Sequence, residues 1–273
     1  MSQTIEQLFS RQFQQASEAF TKASLSNEWQ QLHQQCLPQL QQLALSSDYA
    51  WRVLCQFPQK FWQMSQQGLL DQALTRPFFH QQIQQFLPLT LSDFTWMQKI
   101  RQYRQQMMLR WIYRDVNQLS NLAELTDELS ELAEASVDAA IAYAEQALIA
   151  RYGQPMGEDS GQIQKMIVIG MGKLGAQELN LSSDIDLIFS YPEAGETNGR
   201  SVISNQEYFI KLAQQVIRLL DQQTADGFVF RIDMRLRPLG DGSALALSFN
   251  AMERYYEQHG REWERYAFIK ARV

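Results

Sequence analysis

The chain has 273 residues, 45% of them hydrophobic and 20% charged, with a formal net charge of −6. That length buries a substantial core in one or two domains, and the composition is ordinary for a soluble globular protein. The acidic total argues against long nucleic acid as a substrate, no apolar run approaches a membrane span, and Met1–Glu6 opens no signal peptide.

The first 115 residues read as helical, rich in Gln and poor in Gly. Phe9, Phe13 and Phe20, and Trp51, Leu54, Phe57 and Phe61, fall at roughly helical spacings. Pro38, Pro58, Pro77 and Pro88 divide the region into short helices, with the glutamines on solvated faces. Ser92-Asp93 opens a stronger helix whose stripe is Trp96, Ile100, Tyr103, Met107, Met108, Trp111 and Ile112. Arg101, Arg104, Arg110 and Arg114 fall mainly outside that stripe and read as a solvated face, with a partner or nucleotide surface as the alternative. Asn121-x-x-Glu124 is a capping-box opening for the next helix, which Gly153 ends. Glu128, Glu131, Glu134 and Asp138 form its dense acidic side, read as a helix exterior rather than a dock for a basic partner. Residues 115–160 hold ten acids against one arginine. Residues 153–164 read as a linker and mark a domain boundary. Cys36 and Cys55 lack metal-ligand spacing and fit a reduced, cytoplasmic setting as small core residues, and His33, His80 and His259 read as structural or surface groups.

The chemistry concentrates after that boundary. An apolar β run, Met166–Ile169, breaks at Gly170-Met-Gly172-Lys-Leu-Gly175, a helix-compatible segment covers Lys173–Leu179, and a second strand covers Asp184–Tyr191. Alternation along a strand puts Asp184 and Asp186 on one face and Ile185, Leu187 and Phe189 in a core on the other. Two adjacent carboxylates repel unless a cation sits between them, and such hard oxygen donors suit Mg²⁺ or Mn²⁺ and the phosphates these ions carry. The glycine turn supplies backbone N–H groups that an anion can approach closely. The same glycines also match a dinucleotide fingerprint. The spacing weighs against it: the next strand starts nine residues after Gly175, and Ser190 and Tyr191 stand where the ribose-binding acid should be. Ser204-x-x-Glu207 caps a following helix. A third acid, Asp233, lies in an alternating run with Phe228, Phe230, Ile232, Met234 and Leu236 on one face and Arg231, Asp233, Arg235 and Arg237 on the other. One carboxylate among three guanidinium groups fits a site joining a metal to phosphate oxygens; the plainer alternative is a solvated ion-pair ladder. Pro238–Ser243 reads as a hairpin-like loop returning as Ala244–Phe249, before two final helical segments.

The Gly-x-Gly turn, the Asp-hydrophobic-Asp strand and the later strand Asp resemble the DNA polymerase β-type nucleotidyltransferase pattern. More closely, residues 170–189, the run Arg231-Ile-Asp-Met-Arg-Leu-Arg-Pro-Leu-Gly and Gly260-Arg-Glu-Trp-Glu-Arg-Tyr-Ala resemble the glutamine synthetase adenylyltransferase/adenylyl-removing enzymes. The Asn180–Ser183 segment and the Asp233-Met-Arg wording are closer to that family's N-terminal, adenylyl-removing module. The chain is far shorter than that family's and stops at Ala271-Arg272-Val273 inside a helix-like pattern.

What the resemblance implies is an α+β fold: a polymerase β-type nucleotidyltransferase sheet with flanking helices, after a mostly helical region. The corresponding division is 1–160 helical, 161–250 catalytic and 251–273 the start of a truncated helical region. Asp184, Asp186 and Asp233 would be catalytic metal ligands for Mg²⁺ or Mn²⁺. Gly170, Gly172, Lys173, Ser183, Arg235 and Arg237 would hold phosphate, and Glu262 and Glu264 are second-tier candidates. The implied reaction is phosphorolysis of AMP from a glutamine synthetase tyrosine, releasing ADP. A PII-type signal protein is an expected further partner. Alternatives are adenylylation from ATP, another small-substrate nucleotidyl transfer, or a non-catalytic module that docks the synthetase or a PII-type protein.

Overall fold

The computed structural model describes residues 5–240 and 242–273; Met1–Thr4 and Asp241, the latter in the expected loop after Pro238, lie outside the described residues. The chain forms α1 (Ile5–Lys22), α2 (Ser26–Ser46), α3 (Asp48–Gln56), α4 (Pro58–Gln66), α5 (Arg76–Phe86), α6 (Asp93–Val116) and α7 (Leu122–Tyr152). There follow β1 (Ile167–Met171), the one-turn helix α8 (Gly172–Gly175), β2 (Ile185–Tyr191), α9 (Asn205–Asp221), β3 (Ile232–Asp233), β4 (Ala246–Ser248), α10 (Phe249–Gln258), α11 (Glu262–Ala267) and a 3₁₀ turn, Phe268–Lys270. This is an α+β architecture. It divides into two compact units, Met1–Thr75 with Gln102–Glu128, and Arg76–Arg101 with Leu129–Val273. The unit borders fall at α5 and inside α6 and α7, whereas the 153–164 segment lies within the second unit.

In the first unit, α1 meets α2 and α3 through aromatic side chains. Phe13 lies 5.8 Å from Trp29 and 5.4 Å from Trp51, and Phe20 lies 5.1 Å from Trp29. The buried indole of Trp51 donates to the Gln12 carbonyl at 3.1 Å. Pro38 punctuates α2 as expected: two helical stretches meet at a kink at Cys36, two residues before it, where φ is −126° and ψ 21°. Cys36 and Cys55 are half-buried, and burial pushes the Cys55 thiol up to about 11.

The arginines of α6 correct the expectation of a solvated face. Arg101, Arg104, Arg110 and Arg114 are all buried, so burial on α6 is not confined to one stripe. A buried guanidinium must satisfy its donors, and acceptors are supplied. Within the first unit, Arg110 pairs with Glu128 and donates to the carbonyls of Leu69 and Gln72. Glu128 also accepts from Trp111 Nε1 at 2.7 Å and from the Leu74 N–H at 2.7 Å. Arg114 pairs with Glu124 and donates to Leu70 and Leu119. In the second unit Arg101 donates to the carbonyls of Met97, Leu219, Gln222 and Gly227, and burial lowers its pKa to about 10.

The sheet of the second unit is mixed. β1 pairs antiparallel with β2, from Ile167 opposite Ser190 to Met171 opposite Asp186. β3 and β4 both pair parallel with the opposite edge of β2, β3 at its start and β4 at its end. A parallel neighbour needs a crossover, and α9 provides it between β2 and β3. Ser204 caps α9 as expected, accepting from the Glu207 N–H. Ile185, Leu187 and Phe189 are buried as the alternation required, and Tyr191 stacks on Phe209 of α9 at 4.6 Å. On the opposite face Ile169, Met171 and Ile188 pack under Leu236, Met252, Ala267, Phe268 and Ala271.

Three further expectations change. The arginine-rich run is a strand only at Ile232–Asp233, and β4 returns to β2 rather than forming a hairpin with it. The 153–164 segment is laced to the loop after β2: Pro155 bridges Thr197, and the buried Asn205 amide donates to the Met156 and Glu193 carbonyls at 2.9 and 3.1 Å. Ala271-Arg272-Val273 is not helical, because Arg272 bridges Gly170 on the free edge of β1.

Breaking a buried ion pair on one side leaves the other charge stranded. Glu128→Ala is therefore expected to destabilise the protein by about 3–5 kcal/mol in urea denaturation, with the joint replacement Arg110→Met/Glu128→Leu costing less than Glu128→Ala alone.

Candidate functional site

The site forms where β1, β2 and β3 lie side by side. Asp186 on β2 is flanked by Met171 of β1 and, in register on its other side, by Asp233 of β3. Directly paired residues of neighbouring strands project to one face, so the Asp186 and Asp233 carboxylates are neighbours. Asp184 is exposed and stands just before β2, two residues from Asp186. Burial, then the charges of Asp233 and Asp184, push the Asp186 carboxyl above its ordinary range, while Arg235 and Lys173 pull it back.

Asp233 has a different environment. One of its oxygens accepts from the Arg235 N–H at 2.8 Å, the other from Arg235 Nε at 2.7 Å, and these bonds hold its pKa below the ordinary value. Among the described residues no three His, Cys, Asp or Glu side chains stand together as a ligand set, and Asp233 faces Arg235 instead. The donor chemistry nevertheless suits a hard divalent cation: the Asp186 carboxyl is held above its usual pKa by burial and by the charges of Asp233 and Asp184. Arg235 is itself exposed, 75% for its side chain, so releasing Asp233 costs little.

The glycines have distinct roles. Gly172 has φ +55°, and a Cβ there would lie 2.8 Å from Asp186 Oδ2, so the loop backbone packs directly against the carboxylate. A Cβ on Gly175 would fall on the Lys270 carbonyl. Gly170 is not in the turn but in β1, and its N–H donates to the Arg272 carbonyl at 2.8 Å, which corrects its assignment to phosphate. The antiparallel β1–β2 pair and the one-turn α8 also exclude a dinucleotide-binding βαβ unit here.

Lys173 and Ser183 come together, Nζ to Oγ at 3.4 Å, beside the acids. Arg237 departs from expectation: it is buried and donates to the Met234 carbonyl at 2.8 Å, because the chain turns after β3. Glu264 is taken up structurally, accepting from Tyr255 Oη and the Arg261 N–H at 2.7 Å each, and Glu262 is exposed. Asn180 was read only as part of the Asn180–Ser183 segment and given no site role; its Oδ1 accepts from Ser183 Oγ at 2.8 Å. Its signal was local, an Asn three residues before a Ser in a loop.

An α+β unit with carboxylates converging on a central strand beside a glycine turn is the setting for the comparisons with known proteins. The chain belongs to the glutamate-ammonia ligase adenylyltransferase family, whose profile matches residues 37–273. It is 53% identical over 235 residues to the bifunctional glutamine synthetase adenylyltransferase/adenylyl-removing enzyme of Acinetobacter baylyi, covering 86% of this chain and 25% of that protein. The Pseudomonas syringae protein of the same name is 46% identical over 229 residues, 84% of this chain and 23% of its own length. That of Nitrosococcus oceani is 56% identical over 175 residues, 64% and 18%. The chain thus spans a quarter or less of the length of these relatives.

A carboxyl whose folded pKa is raised favours the fold most below its unfolded value, and that contribution is lost as pH rises through the folded value. In EDTA at neutral pH, Asp186→Asn is therefore expected to be more stable than wild type in urea denaturation. The difference should shrink as the pH falls through the raised folded pKa of Asp186, where the wild-type carboxyl also becomes neutral.

Proposed function

We propose that the chain is a metal-dependent nucleotidyltransferase module that removes AMP from adenylylated glutamine synthetase by phosphorolysis. The observation that carries it is the in-register pair Asp186–Asp233 with Gly172 packed against the Asp186 carboxylate, in a chain of this family. The direction rests on Asn180–Ser183 and Asp233–Arg235, whose wording resembles the adenylyl-removing module.

In this reading an oxygen of inorganic phosphate bonds to the adenylyl phosphorus, and the phosphorus–oxygen bond to tyrosine breaks. The tyrosine oxygen leaves with the electron pair and takes up the proton that the attacking hydrogen phosphate gives up, passed through water, and the products are ADP and unmodified synthetase. Asp184, Asp186 and Asp233 would hold Mg²⁺ or Mn²⁺, which when bound neutralises the reacting phosphoryl oxygens. The Gly172 turn, Lys173 and Ser183 orient phosphate oxygens on one side of the carboxylates. Arg235, exposed and therefore able to exchange Asp233 for a phosphate oxygen, offsets charge that develops in transfer. Arg237, buried behind the turn, lowers the Asp233 pKa by its charge.

The test is to follow ADP from adenylylated glutamine synthetase, phosphate and Mg²⁺ with this chain and with Asp184→Ala. Wild type is expected to release ADP, with the variant slower by at least about 10²-fold. Incorporation of AMP from ATP into unmodified synthetase, with no ADP from the adenylylated form, would reverse the assigned direction. Metal-independent binding of synthetase without either reaction would make the chain a docking module.

A further inference from the structure

The acidic side of α7 is an exterior only in part: Asp138 is exposed, but Glu131 and Glu134 are half-buried. Ser130, Glu131 and Glu134 face the glycine loop and the end of the chain. Gln177 donates to Glu131 at 3.2 Å, and the Leu179 N–H reaches Ser130 Oγ at 3.4 Å. Glu134 pairs through one oxygen with Arg272 and through the other with Arg76 at 3.3 Å. Arg272 then continues to the loop: its Nε donates to the Gly175 carbonyl at 3.2 Å and its Nη2 to the Leu174 carbonyl at 3.3 Å. Its backbone exchanges both hydrogen bonds with Gly170, at 2.8 and 2.9 Å. One residue therefore grips both ends of the Gly170–Gly175 segment.

The segment needs such a grip. A four-residue helix does not hold itself together, because forming the first turn fixes several residues for one hydrogen bond. Its last carbonyls require partners from elsewhere. Gly172 must also keep a left-handed φ of +55° while pressed against Asp186. The Glu134 and Arg272 side chains are only 16% and 30% exposed, so their pair is better shielded than a surface ion pair. The planar guanidinium reaches three acceptors at once, which an ammonium on a flexible stem does not reproduce.

We propose that Arg272 is a positioning residue: anchored by Glu134, it holds the glycine loop by its carbonyls and so fixes the Gly172 turn against Asp186. Its catalytic consequence rests on the function proposed above; the mechanical claim does not.

Hydrogen exchange of the whole chain, read together with phosphorolysis, tests it in Arg272→Ala, Arg272→Lys, Glu134→Gln and the control Lys211→Ala on α9. In Arg272→Ala the amides of residues 172–178 are expected to exchange at least about tenfold faster while those of α9 keep their protection. Phosphorolysis should fall about 10- to 100-fold. Arg272→Lys and Glu134→Gln should give intermediate values, and Lys211→Ala neither effect. Unchanged exchange at 172–178, or faster exchange spread equally over α9, would overturn the positioning role. Should wild type release no ADP while loop exchange responds as expected, the functional reading falls and the clamp stands.

Discussion

Two carboxylates in register on neighbouring strands repel each other, and the second unit of this chain is arranged around that repulsion. The parallel β2–β3 pair places Asp233 beside Asp186, and Asp184 adds a third negative charge two residues away. A folded chain has three ways to accommodate such a cluster: protonation, a fixed cation, or an exchangeable one. Here the raised Asp186 pKa and the Arg235–Asp233 pair represent the first two. The exposure of Arg235 leaves the third open. Because the penalty is sustained by the sheet, it depends on everything that sets the β3 register, including α9 and the Arg101 hydrogen bonds at its C-terminal end.

Several of the charges in this chain are therefore internal. Residues that look like solvent-facing decoration, the arginines of α6 and the acids of α7, hold helices and loops in place. Glu128 gathers four donors in the first unit, and Glu134 is shared by two arginines in the second. Such contacts specify position more sharply than apolar packing, since each donor has a direction. The glycine loop is a case in point: its apolar contribution is small, mainly Leu174, and its conformation is set by hydrogen bonds and by the absence of Cβ atoms at Gly172 and Gly175.

Local signals were legible and distant ones were not. The caps at Asn121 and Ser204 and the alternation through Ile185, Leu187 and Phe189 follow from neighbours a few residues apart, and the structure bears them out. The burial of Arg110 depends on Glu128 and on carbonyls at Leu69 and Gln72, which no periodicity on α6 reveals. Alternation from Phe228 to Arg237 reads as one long strand, yet pairing stops at Asp233, where β3 has followed only the first residues of β2 before the chain turns. The turn then carries Arg237 inward and leaves Arg235 outside. Gly170 looked like part of a phosphate turn because its partner, Arg272, lies about a hundred residues away. The closeness of Asp184 and Asp186 was legible because their spacing is local; the encounter of Asp186 with Asp233 in register was not.

Manganese binding followed by electron paramagnetic resonance tests the central claim, that these carboxylates form a divalent-cation site, most directly. Titrating Mn²⁺ into wild type, Asp186→Asn and Asp233→Asn should show bound ion for wild type that Mg²⁺ displaces. Binding should weaken at least about tenfold in each variant. Equal Mn²⁺ binding by all three proteins, or none by wild type in the presence of ADP, would contradict the account.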